Sequence, residues 1–208
     1  MTKQELRRWV RNELKTHASC ELQRLSDETC RLILRHRLIQ QAQTVLAFWP
    51  LPDEPDIRPA VRQLYQQGKT VLLPHVVSDT EMVICRYEGD ESLAEGAFGI
   101  LEPHVNVSSQ KAANNVLSQD NAVNRTISRS PSSTDNAPST TAVALIPGRA
   151  FDAEGHRLGR GKGYYDRFLA LNADIQTIGI CYPFQIIDEI PSDTHDIIIN
   201  ELLWKISK

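Results

Sequence analysis

VALIPGRAFDAEGHRLGRGKGYYDRFL, residues 143–169, passes from an apolar run (Val143 to Ile146) through a loop crowded with glycine and arginine into an amphipathic stretch. That stretch starts near Tyr164 and carries Phe168 and Leu169. Strand, loop, helix is the order in which backbone amides and a helix N-terminus converge on an anion. Gly159, Gly161 and Gly163 alternate with Arg160 and Lys162, so the backbone can approach a phosphate closely while two cations face it. Asp166 falls in the first helical turn, where the dipole favours a carboxylate and where a divalent cation could be held beside the phosphates.

The remaining chain can be placed around that loop. At 208 residues, 41% apolar and 24% charged, it has the composition of one ordinary soluble domain with room for an insertion. A net charge of −3 gives no general basis for nucleic-acid binding. Cys20, Cys30, Cys85 and Cys181 form no CxxC pair or metal-ligand spacing, which fits free thiols in a reducing cytoplasm. No apolar run approaches the roughly 18 residues of a membrane span, and the polar N-terminus begins a helix, so neither export nor membrane insertion is expected.

Thr2 and Glu5 make a capping-box pattern ahead of a helix over residues 3–16, with Leu6, Trp9, Val10 and Leu14 on one face. Lys3, Arg7, Arg8 and Arg11 lie off that face, which by its own pattern reads as a solvated basic surface. Ser19 is placed to cap a second helix, and Ser26 could restart it. Residues 44–49 (TVLAFW) read as a buried strand, 57–67 as a helix stopped by Gly68, and 70–76 as a second strand. This βαβ unit implies a parallel pair whose ligand loops share one rim, bringing residues 50–56 beside the loop after Ile146. Residues 82–87 and 177–182 add strand candidates, and residues 196–204 form a terminal strand or short helix. The expected fold is α/β: a three-layer open, largely parallel sheet flanked by helices. Between residues 106 and 141, 24 of 36 residues are Ser, Thr, Asn, Gln, Asp or Pro, too polar to bury a core, so this segment is expected to be a disordered insertion within one domain.

The glycine loop alone is weak evidence of function. A Rossmann fingerprint is disfavoured because no acidic residue closes the next strand, and no Walker A pattern occurs. The combination RLGRGKGYYDRFL with IPGRAFD, KQELR, FWPLPDEPD, EGAFGILEP and IPSDTHD resembles the 5-formyltetrahydrofolate cyclo-ligase (methenyltetrahydrofolate synthetase) family over nearly the whole chain outside residues 106–141. The resemblance implies an enzyme that uses ATP and Mg²⁺ to convert 5-formyltetrahydrofolate to 5,10-methenyltetrahydrofolate; a cytoplasmic monomer is expected.

By that resemblance ATP would be bound by Lys3, Arg7, Arg157, Leu158, Gly159, Arg160, Gly161, Lys162, Gly163, Tyr164 and Tyr165. The folate would be bordered by Arg160, Gly161, Lys162, Gly163 and Tyr164, with Glu54 holding the pterin and Trp49 forming a wall. Asp166 and Asp196 would hold Mg²⁺, and Arg160 would carry catalysis. On sequence grounds Trp49 serves equally as core or pocket, and one of Tyr164 and Tyr165 is expected to pack helix against sheet. His156 and His195 need no catalytic role. Lys162 stands where the family usually has glycine, and Asn200 where aspartate is common. Competing readings are a phosphate-binding enzyme of similar fold, such as a sugar-phosphate isomerase or CoA transferase, and a non-catalytic nucleotide-binding protein.

Overall fold

The computed structural model describes residues 1–96, 101–103, 142–193 and 196–203. The polar segment 106–141, His195 and Trp204 lie outside the described residues. A six-stranded sheet runs in the order β10 (Glu201–Leu203), β9 (Gln176–Ile180), β6 (Ala142–Pro147), β1 (Thr44–Leu46), β2 (Thr70–Val76), β3 (Met82–Arg86). All neighbours are parallel except β3, which returns antiparallel to β2. Two small antiparallel hairpins, β4–β5 (Leu93–Glu95, Leu101–Pro103) and β7–β8 (Ala150–Phe151, Arg157–Leu158), sit outside it.

Strand alternation divides the core between the two sheet faces. Val45, Val71, Leu73, Val143, Leu145 and Ile178 pack with residues from the helices α2 (Ser19–Arg35), α3 (Arg37–Gln41) and α4 (Arg58–Gln66). Leu46, Leu72, Ala142, Ala144 and Ile146 point the other way, toward Leu169 and Phe168 of α5 (Tyr164–Leu171). The expected three layers are therefore present. Gly68 ends the α4 segment with φ +81°, a left-handed backbone that only glycine adopts without steric cost. Among the described residues no helix is long and apolar enough to cross a membrane.

Helix α1 (Lys3–Leu14) begins with the predicted capping box: the Glu5 amide donates to Thr2 Oγ1 at 3.3 Å, and the Thr2 amide donates to Glu5 Oε2 at 2.8 Å. It docks through a small cluster of Leu6 and Val10 with Ala150, Leu158 and Ile190. Trp9, expected on that apolar face, is 40% exposed, because the small cluster under α1 takes in only Leu6 and Val10. Ser19 is the first helical residue of α2 and makes no side-chain cap; Ala18 holds the cap position. Ser26 does not restart the helix. Its hydroxyl donates to Leu22 O at 2.8 Å and accepts the Asp56 amide at 3.0 Å, tying α2 to the loop after β1.

Strand order changes direction between β1 and β6: chain from β1 proceeds to β2 on one side, and from β6 to β9 on the other. In an open parallel sheet this point leaves a crevice at the carboxyl ends of the strands. The loops after β1 and β6 both open there, as the sequence predicts.

Candidate active site

A cavity of about 630 Å³ occupies this crevice. Its walls come from the loop after β1 (Trp49, Glu54), the end of β6 (Pro147), the glycine loop (Gly159 to Gly163), and α1 (Lys3, Arg7). Gly161 and Gly163 have φ of +104° and +67°, conformations that a side chain would strain. Gly163 caps α5, and its carbonyl accepts the Arg167 amide at 3.1 Å. The loop thus turns tightly enough to aim the N-terminus of α5 along the cavity wall.

Every cation of the site is paired with a carboxylate or carbonyl. Arg160 donates from Nε (3.2 Å) and Nη2 (2.9 Å) to Glu54 Oε1, and also binds Asp53. Burial raises the Asp53 pKa, but hydrogen bonds and charges from Arg160 and Arg149 outweigh it, leaving this carboxyl below its usual range. Arg157 is buried; its Nη2 reaches both Asp166 oxygens at 2.9 Å, and its Nη1 donates to Pro147 O at 3.2 Å. Lys3 bridges Asp193 (2.6 Å) and Asp196 (2.5 Å), and Arg7 Nε donates to Gly159 O at 2.8 Å. The basic face of α1 is therefore split, with Lys3 and Arg7 turned into the cavity while Arg8 and Arg11 are exposed.

All the sequence-predicted site residues except one line this cavity. The exception is Leu158, whose side chain is 1% exposed and packs under α1, because its place on β8 turns it away from the glycine loop's open side. Its carbonyl accepts the Arg149 amide at 2.7 Å. Trp49 proves to be both core and pocket, packed in the helical-side cluster while lining the cavity. Tyr165 is the tyrosine that packs helix against sheet, and Tyr164 donates its hydroxyl to Ser78 O at 2.8 Å. Lys162 reaches out to Asp79 at 2.8 Å, an exposed pair. Asn200 Oδ1 accepts from the Thr177 amide at 2.9 Å and so serves the sheet.

Four further polar residues escaped the sequence reading: Asp53, Arg149, Asp193 and Glu102. All four stood in quoted segments (FWPLPDEPD, IPGRAFD, IPSDTHD and EGAFGILEP), but nothing in one sequence distinguishes them from ordinary loop charges. Among the described residues no group of three or more His, Cys, Asp or Glu could hold a metal on its own. Asp166 and Asp196 both line the cavity, and a pair of carboxylates could hold a divalent cation whose remaining ligands are phosphates and waters.

Behind the site, Asp152 is 2% exposed and accepts from the amides of Ile190 (3.0 Å) and His156 (2.9 Å) and from the His156 ring. It fastens the β7–β8 turn to the segment leading to Asp193. Burial raises its pKa, and these donors more than reverse the shift. A depressed folded pKa gives stability that is present above the unfolded value of about 3.9 and is lost as pH falls below it. Asp152→Asn is expected to lose about 1–3 kcal/mol at pH 7. Its denaturant midpoint should also fall less steeply than the wild type's from pH 5 to pH 3; parallel curves would contradict this role.

Comparison with known proteins converges on one family. The family model described as "5-formyltetrahydrofolate cyclo-ligase family" matches residues 1–129 and 118–205. The mouse 5-formyltetrahydrofolate cyclo-ligase is 26% identical over 211 residues, covering 98% of this chain and 93% of the mouse protein. The NMR structure of Aquifex aeolicus 5,10-methenyltetrahydrofolate synthetase superposes with a TM-score of 0.73 at 28% identity, covering 100% of this chain and 91% of that one. The synthetase from Mycoplasma pneumoniae, 22% identical, shares the fold with a TM-score of 0.66 and covers 98% of both chains. With a strand-switch cavity, a cationic glycine loop and a family match spanning both halves of the sequence, this chain belongs to the 5-formyltetrahydrofolate cyclo-ligase family.

Proposed function

We propose that the cavity catalyses the ATP-dependent cyclisation of 5-formyltetrahydrofolate to 5,10-methenyltetrahydrofolate, releasing ADP and phosphate. The observation that carries this reading is the convergence of Lys3, Arg7, Arg157 and Arg160 on one cavity beside the N-terminus of α5. A formamide carbon is a poor electrophile with no good leaving group. Transfer of the γ-phosphoryl group to the formyl oxygen, attack of N10 on the formyl carbon, loss of the N10 proton and departure of phosphate complete the ring. The work left to the protein is alignment and charge neutralisation.

Arg160 is the catalytic residue, with Glu54 beside it at the folate side and Trp49 as the wall. The amides and cations of the glycine loop, with Lys3 and Arg7, receive the triphosphate. Asp166 and Asp196 would hold Mg²⁺, which supplies neutralisation of phosphate charge. Both carboxylates are ion-paired, with Arg157 and Lys3, so those cations would turn to phosphate oxygens as the metal enters.

The direct test incubates the protein with 5-formyltetrahydrofolate and Mg-ATP and follows the ultraviolet absorbance of the methenyl product. No product from folded protein would refute the reading. Product formation would also exclude the isomerase, transferase and non-catalytic alternatives.

The same reading takes the chain as one cytoplasmic catalytic domain, monomeric, with residues 106–141 as an appendage. Four free cysteines support the cytoplasmic reading. Deleting residues 108–138 is expected to leave kcat within about twofold, because two thirds of residues 106–141 are Ser, Thr, Asn, Gln, Asp or Pro and too polar to bury a core; failure to fold would show a structural role. Light scattering at the mass of one chain and cell fractionation check the other two points.

A further inference from the structure

Arg160 has the central role in that reaction, yet its own backbone does little to fix it. It stands between Gly159 and Gly161, and Gly161 has a φ of +104°. Glycine neighbours leave a chain its widest conformational freedom, so the direction of the Arg160 guanidinium depends on its side-chain partners. Two of those partners are carboxylates. Glu54, on the cavity wall, accepts Nε and Nη2 on one oxygen. Asp53 takes the same guanidinium on both of its oxygens: Nη2 donates to Oδ1, and Nη1 donates to Oδ2 at 3.3 Å.

Asp53 is held in turn by Arg149, whose Nη1 is ion-paired with Asp53 Oδ2. Neither residue is among those that line the cavity. The Arg149 side chain is 12% exposed, so this pair is screened by water far less than a surface pair. The backbone of Arg149 is pinned on both sides. Its amide donates to Leu158 O at 2.7 Å, and its carbonyl accepts from Nε2 of the buried Gln185 at 2.9 Å. The guanidinium of Arg149 therefore projects from a fixed point just before β7, whereas Arg160 sits in the glycine loop.

Arg149, Asp53, Arg160 and Glu54 thus form a row of alternating charge, two of each sign. Without Arg149 the row would be net negative, and two carboxylates would draw on the charge of Arg160 beside a site that receives an anion. With Arg149 in place one of those carboxylates is offset from behind, and Arg160 keeps more of its charge for the phosphoryl group. We infer that Arg149 is a positioning residue: acting through Asp53, it fixes the direction and the effective charge of the Arg160 guanidinium, an inference that rests on the cyclo-ligase reading above. The rigid turn before β7 thereby sets a side chain that the glycine loop alone would leave free.

The test removes the charge with Arg149→Met and keeps most of the apolar stem. The kcat for cyclisation should fall about tenfold, as expected when a group that acts in the transition state is held less well, while the KM for ATP stays within about twofold. Arg149→Lys should recover part of the loss. Made in an Arg160→Ala background, Arg149→Met should change kcat by less than about twofold, because the group it positions is gone. A merely structural residue would cost the same in both backgrounds. Thermal unfolding establishes that the variants are folded; if Arg149→Met is not, Arg149→Lys carries the same comparison. A second measurement needs no turnover: the NMR signal of the Arg160 Nε–H, assigned by its loss in Arg160→Ala, should exchange faster with water in Arg149→Met than in wild type.

An equal kcat penalty in the wild-type and Arg160→Ala backgrounds would overturn the assignment, as would an Arg160 signal that Arg149→Met leaves unchanged. A wild type that turns over 5-formyltetrahydrofolate while Arg149→Met matches it in kcat refutes this inference and leaves the cyclo-ligase reading standing. A wild type that forms no product ends the cyclo-ligase reading, and the exchange of the Arg160 signal then decides by itself whether Arg149 holds that side chain.

Discussion

Replacing Arg160 by alanine is expected to lower kcat/KM for the cyclisation by about 10²–10³, the usual effect of removing one charge-stabilising donor from a preorganised site. Among the loop cations it is the one that joins the glycine loop to the Glu54 side of the cavity, through Nε and Nη2 on Glu54 Oε1. A group in that place spans the junction between triphosphate and folate, where charge builds as the phosphoryl group moves. The fold should tolerate the change. Arg160's side chain is 36% exposed, which discounts its ion pairs. Asp53 keeps Arg149, and Glu54 keeps the Leu51 amide. Arg160→Lys should recover only part of the rate, because an ammonium keeps the charge and loses the planar fork. Unchanged kcat/KM in the alanine variant would make Arg160 a structural residue.

Asp166→Asn is expected to lower kcat about 10²-fold and to move the Mg²⁺ requirement to higher concentration. Chelation of Mg²⁺ should abolish wild-type turnover, and titrating the metal back should separate the two proteins along the concentration axis. The substitution also reaches the protein's own wiring. Arg157, 6% exposed in its side chain, binds both Asp166 oxygens, and an amide can accept with only one. Some loss of stability therefore accompanies the loss of rate, so turnover must be measured well below the variant's melting temperature. A variant with a normal rate and a normal metal requirement would place the metal elsewhere.

The α/β fold was open to reading because its evidence is local. An apolar Val143–Ile146 run, a glycine loop and a helix starting at Tyr164 lie consecutively, and the αL glycine after α4 follows its helix directly. The glycine loop's cations were visible for the same reason. Their partners were not. Arg160 meets Asp53 across 107 residues, and Lys3 meets Asp193 across 190, and no periodicity records such meetings. Leu158 shows the converse: inside the most legible motif, one residue belongs to the packing under α1, because β8 alternates its side chains between core and cavity. Glu102 was hidden by composition, since a glutamate before a proline looks like any loop carboxylate until the surrounding side chains are known to be apolar. Trp9 failed for want of a partner surface, not for want of a pattern.

Helix α1 carries Lys3 and Arg7 into the cavity, yet it is fastened by a cluster of five buried side chains, whereas each sheet face has a far larger one. Segments with the least burial detach first when a protein is warmed or loosened by denaturant. The catalytic assembly would therefore come apart at its latch while the sheet stays intact. Activity should disappear several degrees below the main melting transition, with the far-ultraviolet signal of the sheet barely altered. Saturating ATP, by bridging Lys3 and Arg7 to the glycine loop, would draw the two events together.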